Sequence, residues 1–100
     1  MTDEKITYDI FPNGQGFYAT YDGHHIGEIT FVRVGGNKII IDYTGVSEKY
    51  RNEKVGLNLV RQAADFARKK KCKIITMCPF ATAMFSRYPE FDDVRFLHTR

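Results

Sequence analysis

The chain has 100 residues, the length of one ordinary domain. Its formal net charge of +3 and its pI of about 8.9 suit an anionic ligand, but they fall short of the charge typical of a dedicated nucleic-acid-binding domain. No apolar run approaches the roughly 18 residues of a membrane span, and the acidic start lacks the apolar core of a signal peptide, so neither a membrane partner nor secretion is predicted.

Turn residues divide the first half of the chain into four predicted strands. The four are Lys5–Phe11, Gly16–Tyr21, His25–Val34 and Lys38–Val46. Asp22-Gly23 is typical of a tight hairpin, and the β-branched run Ile39-Ile40-Ile41 is typical of a strand covered on both faces. In the third strand, regular alternation predicts Ile26 and Glu28 on one face. Short turns between all four indicate an antiparallel meander.

The spacing of apolar residues changes from two to about 3.6 at Val55 and predicts a helix of about 16 residues with one buried face. The helix ends in the basic run Arg68–Lys71. These cations suit the negative end of the helix dipole, and a nucleic-acid patch is the less favoured interpretation.

The remaining chain predicts a strand over Lys73–Met77, a short helix over Phe80–Tyr88 with Met84 and Phe85 inward, and a last edge strand over Val94–Leu97. A strand, a crossover helix and a returning strand imply one parallel pair in a mostly antiparallel sheet. The prediction is therefore a single α+β domain over residues 1–100, in the order β-β-β-β-α-β-α-(β).

The two cysteines, Cys72 and Cys78, lie six residues apart in a predicted strand and its end. Extended chain separates them by roughly 20 Å, whereas a disulfide needs Cα atoms within about 7 Å. We therefore expect two free thiols and a reducing, cytoplasmic location. The three histidines are scattered along the chain, so no metal site is predicted.

The most informative segment, Val46–Leu57, connects the fourth strand to the long helix. It carries Arg51 and Lys54 and opens directly onto the helix, whose first backbone N–H groups have no partner within the helix. The positive end of the helix dipole lies there, so a phosphate or pyrophosphate is the expected ligand. The alternative is an ordinary capped loop whose two cations are only solvated.

The loop Arg51-Asn52-Glu53-Lys54-Val55-Gly56 resembles the pyrophosphate loop of the GNAT acetyltransferases, Arg/Gln-x-x-Gly-x-Gly/Ala. It matches at the first and last positions and departs at the middle glycine, where Lys54 stands. Together with Thr44-x-Val46 at the end of the fourth strand and Cys78 after the next one, it resembles the small, single-domain YjdJ-type subfamily. Because such loops act through backbone amides, we expect Lys54 to be tolerated if its φ is negative, with Asn52 best suited to a left-handed conformation.

The resemblance implies a GNAT-like fold and an N-acetyltransferase that moves an acetyl group from acetyl-CoA, its co-substrate, to a small amine or a protein lysine. No metal is implied. The residues that it assigns to the cofactor site are Thr44, Gly45, Val46, Arg51, Asn52, Glu53, Lys54, Val55, Gly56, Leu57, Phe80, Met84 and Tyr88.

Cys78 and Tyr43 are the candidate catalytic residues. The resemblance implies that Cys78 lies near the thioester, as a nucleophile or as part of the wall of the site. Relatives often carry His-Thr where this chain has Tyr43-Thr44, so the role of that histidine as general base does not transfer. Glu28 and a water relay remain alternatives, whereas His24 and His25 are predicted in an exposed turn on the other side of the chain order from the loop.

Two other functions fit the same residues. One is a non-catalytic acyl-CoA-binding or protein-interaction domain of the same fold, which the missing histidine and the missing middle glycine favour. The other is a small basic nucleic-acid-binding domain. Its affinity should fall steeply with salt, whereas both acyl-CoA hypotheses predict saturable binding of CoA.

Overall fold

The computed structural model describes residues 6–96, without the side chains of residues 52 and 53. Five strands and two α-helices form the domain, and a 3-10 helix follows β4 and another follows α2. The strands are β1 Ile6–Ile10, β2 Gly16–Tyr21, β3 His24–Val34, β4 Lys38–Val46 and β5 Lys73–Thr76. The helices are α1 Val55–Lys70 and α2 Pro79–Arg87, with 3-10 helices over Glu48–Glu53 and Pro89–Val94. The predicted α+β fold is confirmed.

The strands lie in sequence order in one sheet, β1-β2-β3-β4-β5. The first four are antiparallel, and β5 runs parallel to β4. Helix α1 is the crossover between this parallel pair. The Asp22-Gly23 hairpin is confirmed, and both of its residues have positive φ, 53° and 83°, as the two-residue turns that match strand twist require.

Two register shifts interrupt the regular alternation of the sheet. Ala19 of β2 pairs with Gly27 while Thr20 pairs with His25, so Ile26 is an extra residue in β3. Thr30 pairs with Tyr43 while Phe31 pairs with Ile41, so Asp42 is an extra residue in β4. Regular alternation was therefore the wrong expectation for the start of β3. Ile26 turns into the core, where it is 4% exposed, instead of sharing a face with Glu28.

The core lies between one face of the sheet and the helices. Helix α1 packs across β2, β3 and β4, as the predicted apolar face requires. Its buried residues are Val55, Gly56, Leu57, Leu59, Val60, Ala63, Ala64 and Ala67. Within residues 6–96, no helix is long and apolar enough to cross a membrane.

Helix α2 begins at Pro79, whose missing N–H costs nothing in a first helical turn. Met84 and Phe85 are buried, as predicted, and the Phe85 ring stacks on Phe91 at 5.1 Å between centroids. The predicted edge strand Val94–Leu97 is wrong at its start, because Val94 ends a 3-10 helix. Arg95 forms an isolated bridge to Ile74 of β5, the amide of Phe96 donates to the Ile74 oxygen at 2.8 Å, and Leu97 lies outside the described residues.

Cys72 and Cys78 are both free thiols, as predicted, and both are buried. The basic run at the end of α1 also has a structural role. Arg68 donates to both carboxylate oxygens of Asp93, at 2.8 and 2.9 Å, and to the backbone oxygen of Glu90 at 2.7 Å. The run therefore ties the 3-10 helix over Pro89–Val94 to α1.

Lys54 joins the first 3-10 helix to α1 in a left-handed conformation, φ 62° and ψ 24°. The condition under which Lys54 was expected to be tolerated, a negative φ, is not met, and Asn52, the residue best suited to a left-handed conformation, lies in the 3-10 helix instead. Lys54 is both the C-cap of the 3-10 helix over Glu48–Glu53 and the N-cap of α1. The family pattern places glycine at this position, and a lysine bears the steric cost of a Cβ in that region.

We expect Lys54→Gly to raise the free energy of unfolding by about 1 kcal/mol, because glycine takes a positive φ without the clash of Cβ with the carbonyl. Lys71 is a matched control, since it ends α1 with φ 58°, and Lys71→Gly should stabilise by a similar amount. Urea unfolding of both variants and of the double variant checks the gain and its additivity. A loss of stability in Lys54→Gly alone would show that the lysine side chain stabilises the junction.

Acid should weaken the Arg68–Asp93 contact. Hydrogen bonds from Arg68 hold the pKa of Asp93 below its usual value, so the stabilisation is present above about pH 4 and is lost as pH falls through the lower folded-state pKa. The pair is solvent-exposed, so we expect wild type to lose about 0.5–1 kcal/mol more than Asp93→Asn between neutral pH and pH 3. Asp92→Asn, at an exposed neighbouring carboxylate, should behave as wild type in the same urea titrations.

Candidate active site

A groove opens where β4 and β5 separate. Their parallel pairing ends at Ile41 and Thr76, followed by one hydrogen bond from Met77 N to Ile41 O at 2.9 Å. Strand β4 continues to Val46, whereas the segment that follows β5 turns at Cys78 into α2. The backbone edge of residues 42–46 therefore has no strand beside it and forms one side of a groove of about 560 Å³.

The start of α1 closes one end of the groove. The first α-helical hydrogen bond runs from Asn58 N to Lys54 O, at 3.0 Å, so the amides of Val55, Gly56 and Leu57 precede the helical hydrogen-bond ladder. These amides carry the positive end of the helix dipole. Lys54 and Arg51 line the same end, which is therefore suited to a pyrophosphate.

Arg51 also supports the groove. Its Nε atom donates to the backbone oxygen of Val46 at 3.2 Å. The amide of Ser47 donates to the Ile26 oxygen at 2.7 Å, which ties the end of β4 to β3. The last residues of β4 are thus held in place although β5 no longer pairs with them.

Helix α2 supplies an apolar wall through Phe80 and Met84, with Tyr88 at its end. The Phe80 ring lies against Gly56, where a Cβ would be 2.6 Å from Cζ of the ring. The close approach of the ring to α1 therefore favours glycine at this position, because any side chain here would require the Phe80 ring to move. The Gly56 backbone does not need positive φ.

Arg87 also lines the groove, and the sequence analysis missed it. It lies at the end of α2 with its guanidinium 5.9 Å from the centroid of the Tyr88 ring. The signal was present in the sequence, because Phe80, Met84 and Arg87 follow the i, i+4, i+7 spacing of one helix face.

Most of the residues assigned to the cofactor site line this one groove. The predicted residues that do so are Thr44, Gly45, Val46, Arg51, Lys54, Gly56, Leu57, Phe80, Met84 and Tyr88. Val55 does not line it, because its side chain is fully buried in the core. Asn52 and Glu53 belong to the 3-10 helix, and their side chains lie outside the described part of the chain.

Cys78 precedes α2 as its N-cap residue and is 6% exposed. It does not line the groove, since Thr44 lies between. Burial raises the pKa of the Cys78 thiol, but the amide of Ala81, the hydroxyl of Thr44 and the amides of Phe80 and Thr44 lower it by more, so the net pKa is below its usual value. Apart from this interaction with the sulfur, the buried Thr44 Oγ1 has no hydrogen-bond partner among the residues described.

Tyr43 lines both the groove and a second cavity, of about 300 Å³, on the other side of the β4 terminus. Gly45 and Val46 also line both, so the end of β4 separates the groove from the second cavity. The hydroxyl of Tyr43 lies over Gly45 where a Cβ would collide with it. The second cavity is lined by His25, Ile26, Gly27, Glu28, Tyr43, Gly45, Val46 and Ser47.

His25 is exposed, as predicted, and it lies beside the end of β4 although it is on the other side of the chain order from the loop. His25 Nε2 lies 3.1 Å from Glu28 Oε1, and the imidazole stacks on the Tyr18 ring at 5.9 Å with 8° between the planes. A solvent-facing position was the favoured expectation for Glu28, and a role as a base was the alternative. In the structure it is half-buried and paired with His25.

Comparison with known proteins places the chain in a family. The family model described as GCN5-related N-acetyl-transferase matches residues 16–94. No curated protein matches the sequence. A GCN5-like protein of Staphylococcus aureus, solved by NMR, is 31% identical, with a TM-score of 0.73 over 92% of this chain and 91% of its own.

Two more distant structures share the fold. Arabidopsis thaliana Naa50, in complex with the bisubstrate analogue CoA-Ac-MVNAL, is 20% identical with a TM-score of 0.60 over 72% of this chain and 71% of its own. The ribosomal-protein-alanine N-acetyltransferase of Brucella melitensis is 18% identical with a TM-score of 0.61 over 85% and 63%. The match over residues 16–94 and the structural likeness along nearly the whole chain agree, and the protein belongs to the GCN5-related N-acetyltransferase family.

Proposed function

We propose that the protein transfers the acetyl group of acetyl-CoA to an amine, as a small YjdJ-type member of its family. The observation that carries the proposal is the groove itself. It joins a strand edge without a neighbour, which can pair with an extended amide-bearing chain, to a cationic helix start, which can hold a pyrophosphate. Coenzyme A carries both groups in that order.

In this proposal, pantetheine lies along residues 42–46 and pairs with the free backbone edge of β4. The amides at the start of α1 hold the pyrophosphate, and Arg51, Lys54 and Arg87 add positive charge. Phe80 and Met84 cover the apolar parts of the cofactor. In this arrangement the cofactor runs from the cationic start of α1 along the free edge of β4, with the thioester at the end of the groove away from Arg51 and Lys54.

The chemistry then requires an amine without its proton. Its nitrogen lone pair attacks the thioester carbonyl, the carbon becomes tetrahedral, and the C–S bond breaks with its electrons going to sulfur. In this proposal a backbone N–H of the β4 edge, residues 42–46, stabilises the oxyanion. Cys78 lies behind Thr44 and is 6% exposed, which supports direct transfer to the amine without an acetyl-enzyme intermediate.

A non-catalytic acyl-CoA-binding role is the second candidate. Tyr43 stands where relatives often have histidine, and a tyrosine hydroxyl is a weak base at neutral pH. This role predicts the same cofactor groove and the same binding of CoA, but no acetylated amine. The two candidates therefore share the binding test below and differ in turnover.

Acetyl-CoA should stabilise the protein by about 2.7 kcal/mol at a hundredfold excess over its Kd, because it binds only the folded state. Thermal unfolding with acetyl-CoA, CoA and ATP measured separately checks this, and ATP should give the smallest shift.

Arg87→Gln should weaken the affinity for CoA by about three- to tenfold, the loss of one charge-assisted contact. Lys69→Gln, at an exposed cation of α1 that does not line the groove, should bind as wild type. No shift at millimolar acetyl-CoA contradicts both candidate functions.

Direct transfer predicts no acetyl adduct on the protein after incubation with acetyl-CoA alone, because the amine attacks the thioester itself. Intact-mass measurement of wild type, Cys78→Ser and Cys72→Ser checks this. Cys72 is the matched control, since it is also buried and immediately precedes β5. An adduct in wild type and Cys72→Ser that is missing in Cys78→Ser would establish a covalent route through Cys78 instead.

A further inference from the structure

We propose that the chain forms a symmetric dimer with a second copy of itself through the open face of its sheet, the face that carries Val32, Ile40 and Ile75. The two sheets pack face to face about a two-fold axis that passes through Ile40. This association is a property of the folded chain and does not depend on acetyl transfer.

The helices cover only one face of the sheet. They pack on the side of Ile29, Ile39 and Ile74, each of which is at most 1% exposed and belongs to the same core as α1 and α2. The alternate residues of these strands point to the opposite face, where no helix of residues 6–96 packs. The run Ile39-Ile40-Ile41 is typical of a strand covered on both faces, yet in the single chain the Ile40 side stays half-exposed.

The open face carries an apolar row that crosses three strands. Val32 of β3 pairs with Ile40 of β4, and Ile40 pairs with Ile75 of β5, so the three side chains lie side by side. Val34 and Met77, two positions further along their chains, are 42% and 68% exposed and extend the row into a patch. An outward sheet face is usually polar, and a contiguous exposed apolar patch is typical of an interaction site.

Opposite charges lie at equal distances from Ile40 along β4. Lys38 precedes it by two residues and Asp42 follows it by two. The Thr30 hydroxyl donates to Asp42 Oδ1 at 2.6 Å, which places this carboxylate on the open face beside Thr30. Within residues 6–96, neither Lys38 nor Asp42 forms an ion pair. The patch therefore has an available cation at one end and an available carboxylate at the other.

A two-fold axis that crosses the strands through Ile40 uses both features at once. It places each strand over its own copy in the opposite direction, so the apolar row packs on the same row of the second copy. Lys38 of each copy then faces Asp42 of the other, which gives two ion pairs. An axis parallel to the strands would instead place lysine over lysine. The charges therefore select the antiparallel arrangement, which is open to aligned sheets about 10 Å apart.

A second copy fits this patch because one surface supplies the apolar row and both charges. An acidic or a basic partner would complement only one of the two charges. The patch is three strands wide and five residues long, roughly 14 Å by 17 Å at the usual strand dimensions. This is smaller than the roughly 800 Å² per partner of a standard stable interface, so we expect a weak dimer with a Kd on the order of 0.1 mM.

The dimer leaves the groove accessible. Helices α1 and α2 build the groove on the covered side of the sheet, and the patch ends at Asp42, before Tyr43 and the other residues that line the second cavity. Each copy therefore keeps its own groove, and we expect dimerisation to leave the binding of acetyl-CoA unchanged.

Sedimentation equilibrium and NMR test the association itself. Wild type should show a reversible monomer–dimer equilibrium between about 10 μM and about 1 mM, the range that brackets the expected Kd. In a mixture of isotope-labelled and unlabelled chains, filtered NOEs should connect the methyl groups of Val32, Ile40 and Ile75 to the same residues of the other copy. Wild type that stays monomeric throughout this range overturns the proposal, and so do contacts of these methyl groups that arise only within one chain.

Charge exchange tests the arrangement. Lys38→Glu and Asp42→Lys should each weaken the dimer at least about tenfold, because each replaces two ion pairs by two like-charge contacts. The double variant, Lys38→Glu with Asp42→Lys, should dimerise within about threefold of wild type, because it restores both pairs. Lys69→Glu is the matched control, since it changes the net charge equally at an exposed position of α1, away from the open face.

Ile40→Thr should weaken the dimer about tenfold, because the axis doubles the loss of apolar contact while threonine keeps a high strand propensity. A cooperative thermal transition, shifted by acetyl-CoA as in wild type, shows that each variant is folded. A dimer that all three single variants leave unchanged forms through another surface and overturns the proposal. A wild type that dimerises as expected but is not stabilised by acetyl-CoA contradicts the proposed function alone.

Discussion

The architecture of the site depends on the early end of one parallel strand pair. Strands β4 and β5 share four paired positions, Lys38–Ile41 with Lys73–Thr76, and then separate. Strand β4 continues because β3 still pairs with it, whereas β5 cannot continue past Pro79. The backbone groups of β4 beyond this point face a groove instead of a neighbour. Helix α1 starts at one end of the groove because it must cross from β4 back to β5, so the free strand edge and the positive helix start belong to the same connection.

Departures from regular geometry surround this groove. An extra residue at Asp42 interrupts the alternation of β4 immediately before Tyr43, and an extra residue at Ile26 brings His25 and Glu28 together. Lys54 holds a left-handed conformation where the chain enters α1. Each departure loses regular hydrogen bonds or adds steric strain, and packing elsewhere in the sheet and against α1 offsets this cost. These departures from regular geometry adjoin the groove and the second cavity.

Much of the lining of the groove could be predicted from the sequence, because its residues follow local rules. The segment from Arg51 to Gly56 precedes a helix, and Phe80 and Met84 share one face of the next helix. The same rule would have found Arg87. The conformation of Lys54 could not be predicted from its residue type, since propensity favours asparagine for a positive φ, and the packing of two helices decided otherwise.

The sequence by itself determined the order of the elements, the buried face of α1 and the position of the cationic segment before α1, since these depend on residue spacing along a short stretch of chain. The tertiary structure alone decided which residues face each other across the end of β4. His25 and Glu28 meet because an extra residue shifts the register between two strands, and register depends on the fit of a whole strand against its neighbour. The burial of Cys78 is also decided by the tertiary structure, because it depends on where β5 leaves the sheet and on how α2 packs against the core.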